Sequence, residues 1–129
     1  MESLQIRTGQ ISLTILDDAG NERGVFKFNP EDIQSARKVL SLQQELAEKQ
    51  VDFEIKSQAC ETPEDKVDMM EEVVDYFEGI IDQCFGEGSS KILFGDAKTL
   101  SMFEDFFNGI MPYYEAASKK RMAKYGKKQ

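Results

Sequence analysis

Residues 62–86, TPEDKVDMMEEVVDYFEGIIDQCFG, carry the signal that decides the fold. Thr62 offers an oxygen to a first-turn amide, Pro63 fits the first helical position, and an acid, Asp65, stands three residues after the cap. Val67, Met70, Val73, Val74, Phe77, Ile80, Ile81, Cys84 and Phe85 then recur at three- and four-residue steps until Gly86 ends the run. The spacing predicts an amphipathic helix between Thr62 and Gly86. Its acids Glu71, Glu72, Asp75, Glu78 and Asp82 fall between the apolar positions and read as the solvated outer face. The other use of that face is to dock a basic segment, such as the tail of a neighbouring copy.

Upstream, the period changes. Ile11, Leu13 and Ile15 alternate with Ser12 and Thr14, and Val25-Phe26-Lys27-Phe28 follows after the turn-forming stretch from Asp17 to Glu22. This predicts a β-hairpin with Gly20 at a positive-φ position. Two strands are marginal alone in water, so the hairpin must lie on helices or extend a sheet with another copy. Asn29-Pro30-Glu31-Asp32 has the chemistry of a helix start, with Asn29 as cap and Pro30 first in the helix. A first helix is expected from about Pro30 to about Lys49, with Ile33, Ala36, Val39, Leu40 and Leu46 on one packed face. Val51, Phe53 and Ile55 then alternate, which suits a short strand or a continued helix equally.

Downstream, Gly86-Glu87-Gly88-Ser89-Ser90-Lys91 reads as a flexible loop, and Ile92 to Asp96 as a short apolar anchor. Asp96 or Thr99 caps a third helix carrying Leu100, Phe103, Phe106, Phe107, Ile110, Met111 and Tyr114. Pro112 is expected to kink or split it near Gly109. The fold class is therefore α+β, mostly α: an N-terminal β-hairpin packed on a bundle of three or more helices.

The chain has 129 residues, 40% of them hydrophobic, which suits one domain with its own core. The net charge of −8 is unevenly spread. Residues 119–129 hold six basic groups (Lys119, Lys120, Arg121, Lys124, Lys127, Lys128) and no acid, leaving ten basic against 24 acidic residues in 1–118. We read 1–118 as a single acidic domain and 119–129 as a basic, disordered tail. An acidic body argues against nucleic acid as a partner, since phosphate neutralisation supplies most of that affinity.

Several chemistries lack their residues. Histidine is absent, which removes the usual general base and a common metal ligand. Cys60 and Cys84 have no metal-site spacing and read as small apolar side chains in a reducing cytosol. The loop at 86–91 lacks the phosphate-binding pattern, and the acidic turn from Asp17 to Glu22 lacks the ligand order of a calcium loop. No apolar run spans a bilayer and no targeting signal precedes the domain. A soluble, intracellular, non-enzymatic protein without cofactor, metal or membrane contact is expected. The partner-binding candidates are Phe103, Phe106, Phe107, Met111, Tyr113 and Tyr114, whose rings and thioether spread over more of the third helix than one core-facing stripe needs.

Phe28-Asn29-Pro30-Glu31-Asp32, Ile81-Asp82-Gln83-Cys84-Phe85-Gly86 with Gly88-Ser89-Ser90, Phe94-Gly95-Asp96, and Phe103-Glu104-Asp105-Phe106-Phe107 give the chain its family likeness. In these stretches it resembles the tail assembly chaperones of long-tailed (siphovirus-type) bacteriophages and prophages of Gram-positive bacteria. The resemblance implies a factor of the bacterial host's cytoplasm, absent from the mature virion. It would coat the long apolar helices of the tape measure protein until tail tube protein polymerises around it. It also implies homo-oligomers, and a longer product made by frameshifting at Gly126-Lys127-Lys128. Two other classes stay in view. An acidic regulatory decoy module of a prophage needs its acids patterned as one surface, and a carboxylate-only hydrolase needs them buried in a cleft.

Overall fold

A computed structural model describes residues 1–125. Two antiparallel strands come first, β1 (Ile11–Leu16) and β2 (Glu22–Phe28), followed by α1 (Ile33–Gln58), α2 (Pro63–Phe85), α3 (Ser89–Phe94) and α4 (Ser101–Tyr125). The architecture is α+β and mostly helical, as the change of period predicts.

The hairpin turns on Asp17, whose Oδ1 accepts from the amides of Ala19 and Asn21, with Gly20 at φ +86°. Ile11 then lies opposite Phe28 and Leu13 opposite Phe26. These residues share one face of the two-stranded sheet, and Phe26 and Phe28 are buried on it. The Phe26 ring meets those of Phe85 of α2 and Phe106 of α4 at 5.1 and 5.6 Å. Aromatic contact with the helices supplies the cover that two strands cannot supply for themselves.

α1 starts later than expected and runs further. Asp32, not Asn29, is its cap, accepting from the amides of Gln34 and Ser35. Asn29 closes the turn before it, taking the amides of Glu31 and Asp32 while its Nδ2 donates to the Thr8 carbonyl. Two good caps stand three residues apart, and the helix uses the second. At the far end no Gly or Pro interrupts Ile33–Gln58, Lys56 pairs with Asp52 at 3.1 Å, and Phe53 is half-buried beside α2. Residues 51–58 are helix, not strand.

α2 keeps the predicted ends. The Thr62 hydroxyl oxygen accepts from Asp65, Pro63 opens the helix, and the Gly86 amide closes it on the Asp82 carbonyl. A short connection turns α2 back along α1: Tyr76 reaches Glu45 at 2.9 Å, and Arg37 and Lys38 lie across from Gln83 and Cys84. The stretch expected to be loop and anchor contains α3 instead. Ser89 and Ser90 are buried at its start, and the Ser90 amide donates to the Asp82 carboxylate at 2.8 Å. Asp82 is thus drawn off the solvated face of α2 to hold the next element.

α4 starts with the Met102 amide on the Thr99 hydroxyl. It runs unbroken past Pro112, where a kink or split was expected. Pro112 has no amide hydrogen for the Asn108 carbonyl, but both residues are exposed, so water satisfies that oxygen at little cost. Nor does the chain leave helix at residue 119. Arg121 donates to the carbonyls of Pro30 and Glu31, Lys120 lies 3.8 Å from Glu31, and the basic segment stays helical to Tyr125. Gly126, Lys127 and Lys128, with the expected frameshift signal, lie outside the described residues.

Candidate partner-binding surface

The six residues singled out on α4 occupy two environments. Phe103, Phe106, Phe107 and Tyr114 are core side chains, and Met111 packs partly buried against them. Phe103 is fully enclosed, with its ring 5.4 Å from Phe77 and 5.2 Å from Phe94. Tyr114 donates to or accepts from the Ser35 hydroxyl at 2.7 Å. Tyr113 alone is exposed, its ring edge-on to Phe28 at 5.5 Å. The expectation that this cluster is a binding face is corrected for the four buried rings. The hairpin, α2, α3 and the start of α1 reach α4 through Phe26, Phe77, Phe94 and Ser35, and its buried residues, from Phe103 to Ala117, fall within about 100° of one another, the width of a single core-facing stripe.

A bare apolar face lies on α1 instead. At about 100° per residue, Val39, Leu42 and Leu46 fall on one arc, and these three are buried. Ile33, Leu40, Ala47, Val51 and Ile55 fall within about 80° of one another on the opposite arc. All five are exposed, and the four large ones keep between 58% and 66% of their surface in contact with solvent. The expected single face is two faces: Val39 and Leu46 point in, while Ile33 and Leu40 point out. From Ile33 to Ile55 the outer stripe is about 33 Å long at the ~1.5 Å rise of a helix. Its flanks are lightly charged, with Arg37 and Glu48 on one side, Gln43 and Glu54 on the other, and Gln44 at mid-length. Spacings of seven, seven, four and four residues were present in the sequence, but the same three- and four-residue steps also describe the inner face.

Other groups in this half of the molecule serve the α1–α2 seam. Lys49 sits over the Tyr76 ring at 4.7 Å. A groove of about 750 Å³ runs beside them, lined by Arg37, Leu42, Asp75, Gly79 and Cys84 among others. Partial burial pushes the Cys84 thiol above its ordinary pKa, with Lys38 opposing the shift. The acids of α2 are partly engaged within the chain: Lys98 bridges Asp75 and Glu78, and those carboxylates raise its pKa above the usual lysine range. Among the described residues no helix is long and apolar enough to cross a membrane.

Residues 21–129, from just before β2 to the last residue, match a family described as a family of unknown function (DUF6673), and the chain belongs to that family. Nothing matches it among curated proteins or among solved structures.

Proposed function

We propose that this member of the family works by binding another protein and not by catalysis. In this reading it is a tail assembly chaperone of a long-tailed phage or prophage. It holds the apolar helices of the tape measure protein in solution in the host cytoplasm until tail tube protein encloses them, and it is left out of the mature virion. The bare outer stripe of α1 carries the reading. A partner helix laid along it would bury apolar side chains at steps of three and four residues, the usual way an amphipathic helix is recognised. Such a stripe leaves apolar area exposed that a protein acting alone would cover.

The decoy reading has less behind it. Asp75, Glu78 and Asp82 are held by Lys98 and the Ser90 amide, so these acids do not form one free surface for a DNA-binding protein. Co-expression with the tape measure protein of the same genome tests the proposal. The chain should raise the soluble fraction of that protein, and Leu40→Glu with Val51→Glu should abolish the gain while circular dichroism stays unchanged. A wild-type chain that solubilises nothing, or a double variant that works as well, overturns it.

A further inference from the structure

The outer stripe of α1 is close to symmetric about its own middle. Ile33 and Ile55 lie equally far from Gln44, and Leu40 on one side is balanced by Ala47 and Val51 on the other. If two copies of α1 lie antiparallel with Gln44 against Gln44, the residues at matching heights are Ile33 with Ile55, and Leu40 with Ala47 and Val51. A two-fold axis of this kind also brings like flanks together. Arg37 and Glu48 are on the same flank, so Arg37 of each copy stands within about one helical turn of Glu48 of the other. Within one chain, Arg37 has no ion-pair partner among the described residues, and Glu48 accepts only a long hydrogen bond from Gln44 at 3.5 Å.

A parallel pairing lacks this match. It turns the Arg37 flank of one copy onto the opposite flank of the other, where Ala36 and Gln43 stand at its height and no carboxylate does. It also sets Ile33 on Ile33 and Ala47 on Ala47, leaving a gap at mid-seam. The antiparallel arrangement alone offers two ion pairs and an even apolar seam, and it centres both on an amide pair, because side-chain amides can donate and accept to their own image.

From this juxtaposition we infer that the occupant of the outer α1 face, when no partner is present, is the same face of a second copy, antiparallel and centred on Gln44. The pairing stands on the geometry of α1. Its consequence, that self-pairing and capture of a partner helix compete for one surface, rests on the function proposed above. A seam of one helix per copy is small beside a standard stable interface of ~800 Å² per partner, so the pairing is expected to be reversible and displaceable.

Cross-linking and mass together test it. In a Cys60→Ser, Cys84→Ala background, Gln44→Cys should form a disulfide dimer under mild oxidation, since only residues on the axis meet their own copy closely enough. Ile33→Cys should not link to itself, whereas Ile33→Cys with Ile55→Cys should. Sedimentation of the wild-type chain should pass from 14.7 kDa to twice that mass as concentration rises, and Leu40→Glu should hold it at the lower value. Self-linking at Ile33→Cys without linking at Gln44→Cys overturns the inference, as does a wild-type monomer at every concentration reached. A dimer lost in Leu40→Glu, with a wild-type chain that solubilises no tape measure protein, upholds the pairing and removes the proposed function. Solubilisation lost in that variant, with no wild-type dimer at any concentration, does the reverse.

Discussion

α1 and α4 are nearly equal in length, 26 and 25 residues, and use their apolar side chains in opposite ways. α4 buries six residues, four of them aromatic, on one arc that the hairpin, α2 and α3 cover, and its other sides are exposed. α1 buries three, and as much apolar character again stands bare on its other side. Large rings do not mark an interface when they share one arc that other elements cover. Modest aliphatic residues that repeat along a bare face carry the interface proposed for α1. What decides is which arc of the helix the rest of the chain covers, not how large its side chains are.

The contrast is most open to failure where its effects are largest. Phe103 is fully enclosed by rings from α2 and α3, so Phe103→Ala should cost about 3–5 kcal/mol of unfolding free energy in a denaturant titration. Phe106→Asp with Tyr114→Asp should unfold the chain outright, because two charges would be placed in the buried cluster. Leu40→Glu on the bare face of α1 should stay within about 0.5 kcal/mol of wild type. A comparable loss in both helices would mean that the outer stripe is covered by part of the chain itself.

A smaller effect distinguishes the turns that set the two helices in place. Gly95, between α3 and α4, has φ +63°, and a Cβ there would lie 3.3 Å from the Arg23 side chain, which donates to the Leu93 carbonyl. Gly95→Ala is expected to cost about 1–3 kcal/mol and to lower the thermal midpoint accordingly. Gly79, inside α2 and facing the groove beside α1, has nothing within 4 Å of its would-be Cβ, so Gly79→Ala should gain about 0.5–1 kcal/mol. The same sign at both sites would contradict a tight α4 side and a loose α1 side.

Legibility in the sequence follows the same division. α2 was readable almost to the residue because its signals are local: Thr62 and Pro63 at one end, Gly86 at the other. The hairpin was readable because Ile11, Leu13 and Ile15 alternate and Asp17 begins a turn. α3 was missed because six residues carry no full period, and its start depends on Asp82 from the preceding helix. The bare face of α1 was missed because steps of three and four residues do not distinguish Val39 from Leu40, which differ by about 100° around the axis. The rings of α4 were misplaced because Met111 and Tyr113 widen the apolar arc beyond the four rings that the hairpin, α2 and α3 cover, and no window along the chain records where that cover stops.

A modest effect with a pH dependence is expected where the two helices meet. The 2.7 Å hydrogen bond between Tyr114 and Ser35 is the polar contact that joins the core helix to the start of the half-bare one. Tyr114→Phe keeps the ring packing and leaves Ser35, only half-buried, free to turn to water, so a loss of about 0.5–1.5 kcal/mol at neutral pH is expected. The pH dependence adds a sign. Burial, the largest cause, raises the Tyr114 pKa; the Ser35 bond opposes it and Asp32 adds to it. The folded chain therefore holds this proton more tightly than the unfolded chain, whose tyrosines ionise near ~10. The stability tied to the neutral phenol is intact below that value and is lost as pH rises through the raised folded value. Wild-type stability should thus fall more steeply than that of Tyr114→Phe above about pH 10, and the gap between them should narrow. The exposed Tyr76, raised chiefly by its bond to Glu45, is common to both chains and cancels in the difference. A gap that stays constant through the alkaline range would mean that Tyr114 is as open to water as the outer face of α1, and the two helices would then be alike where they touch.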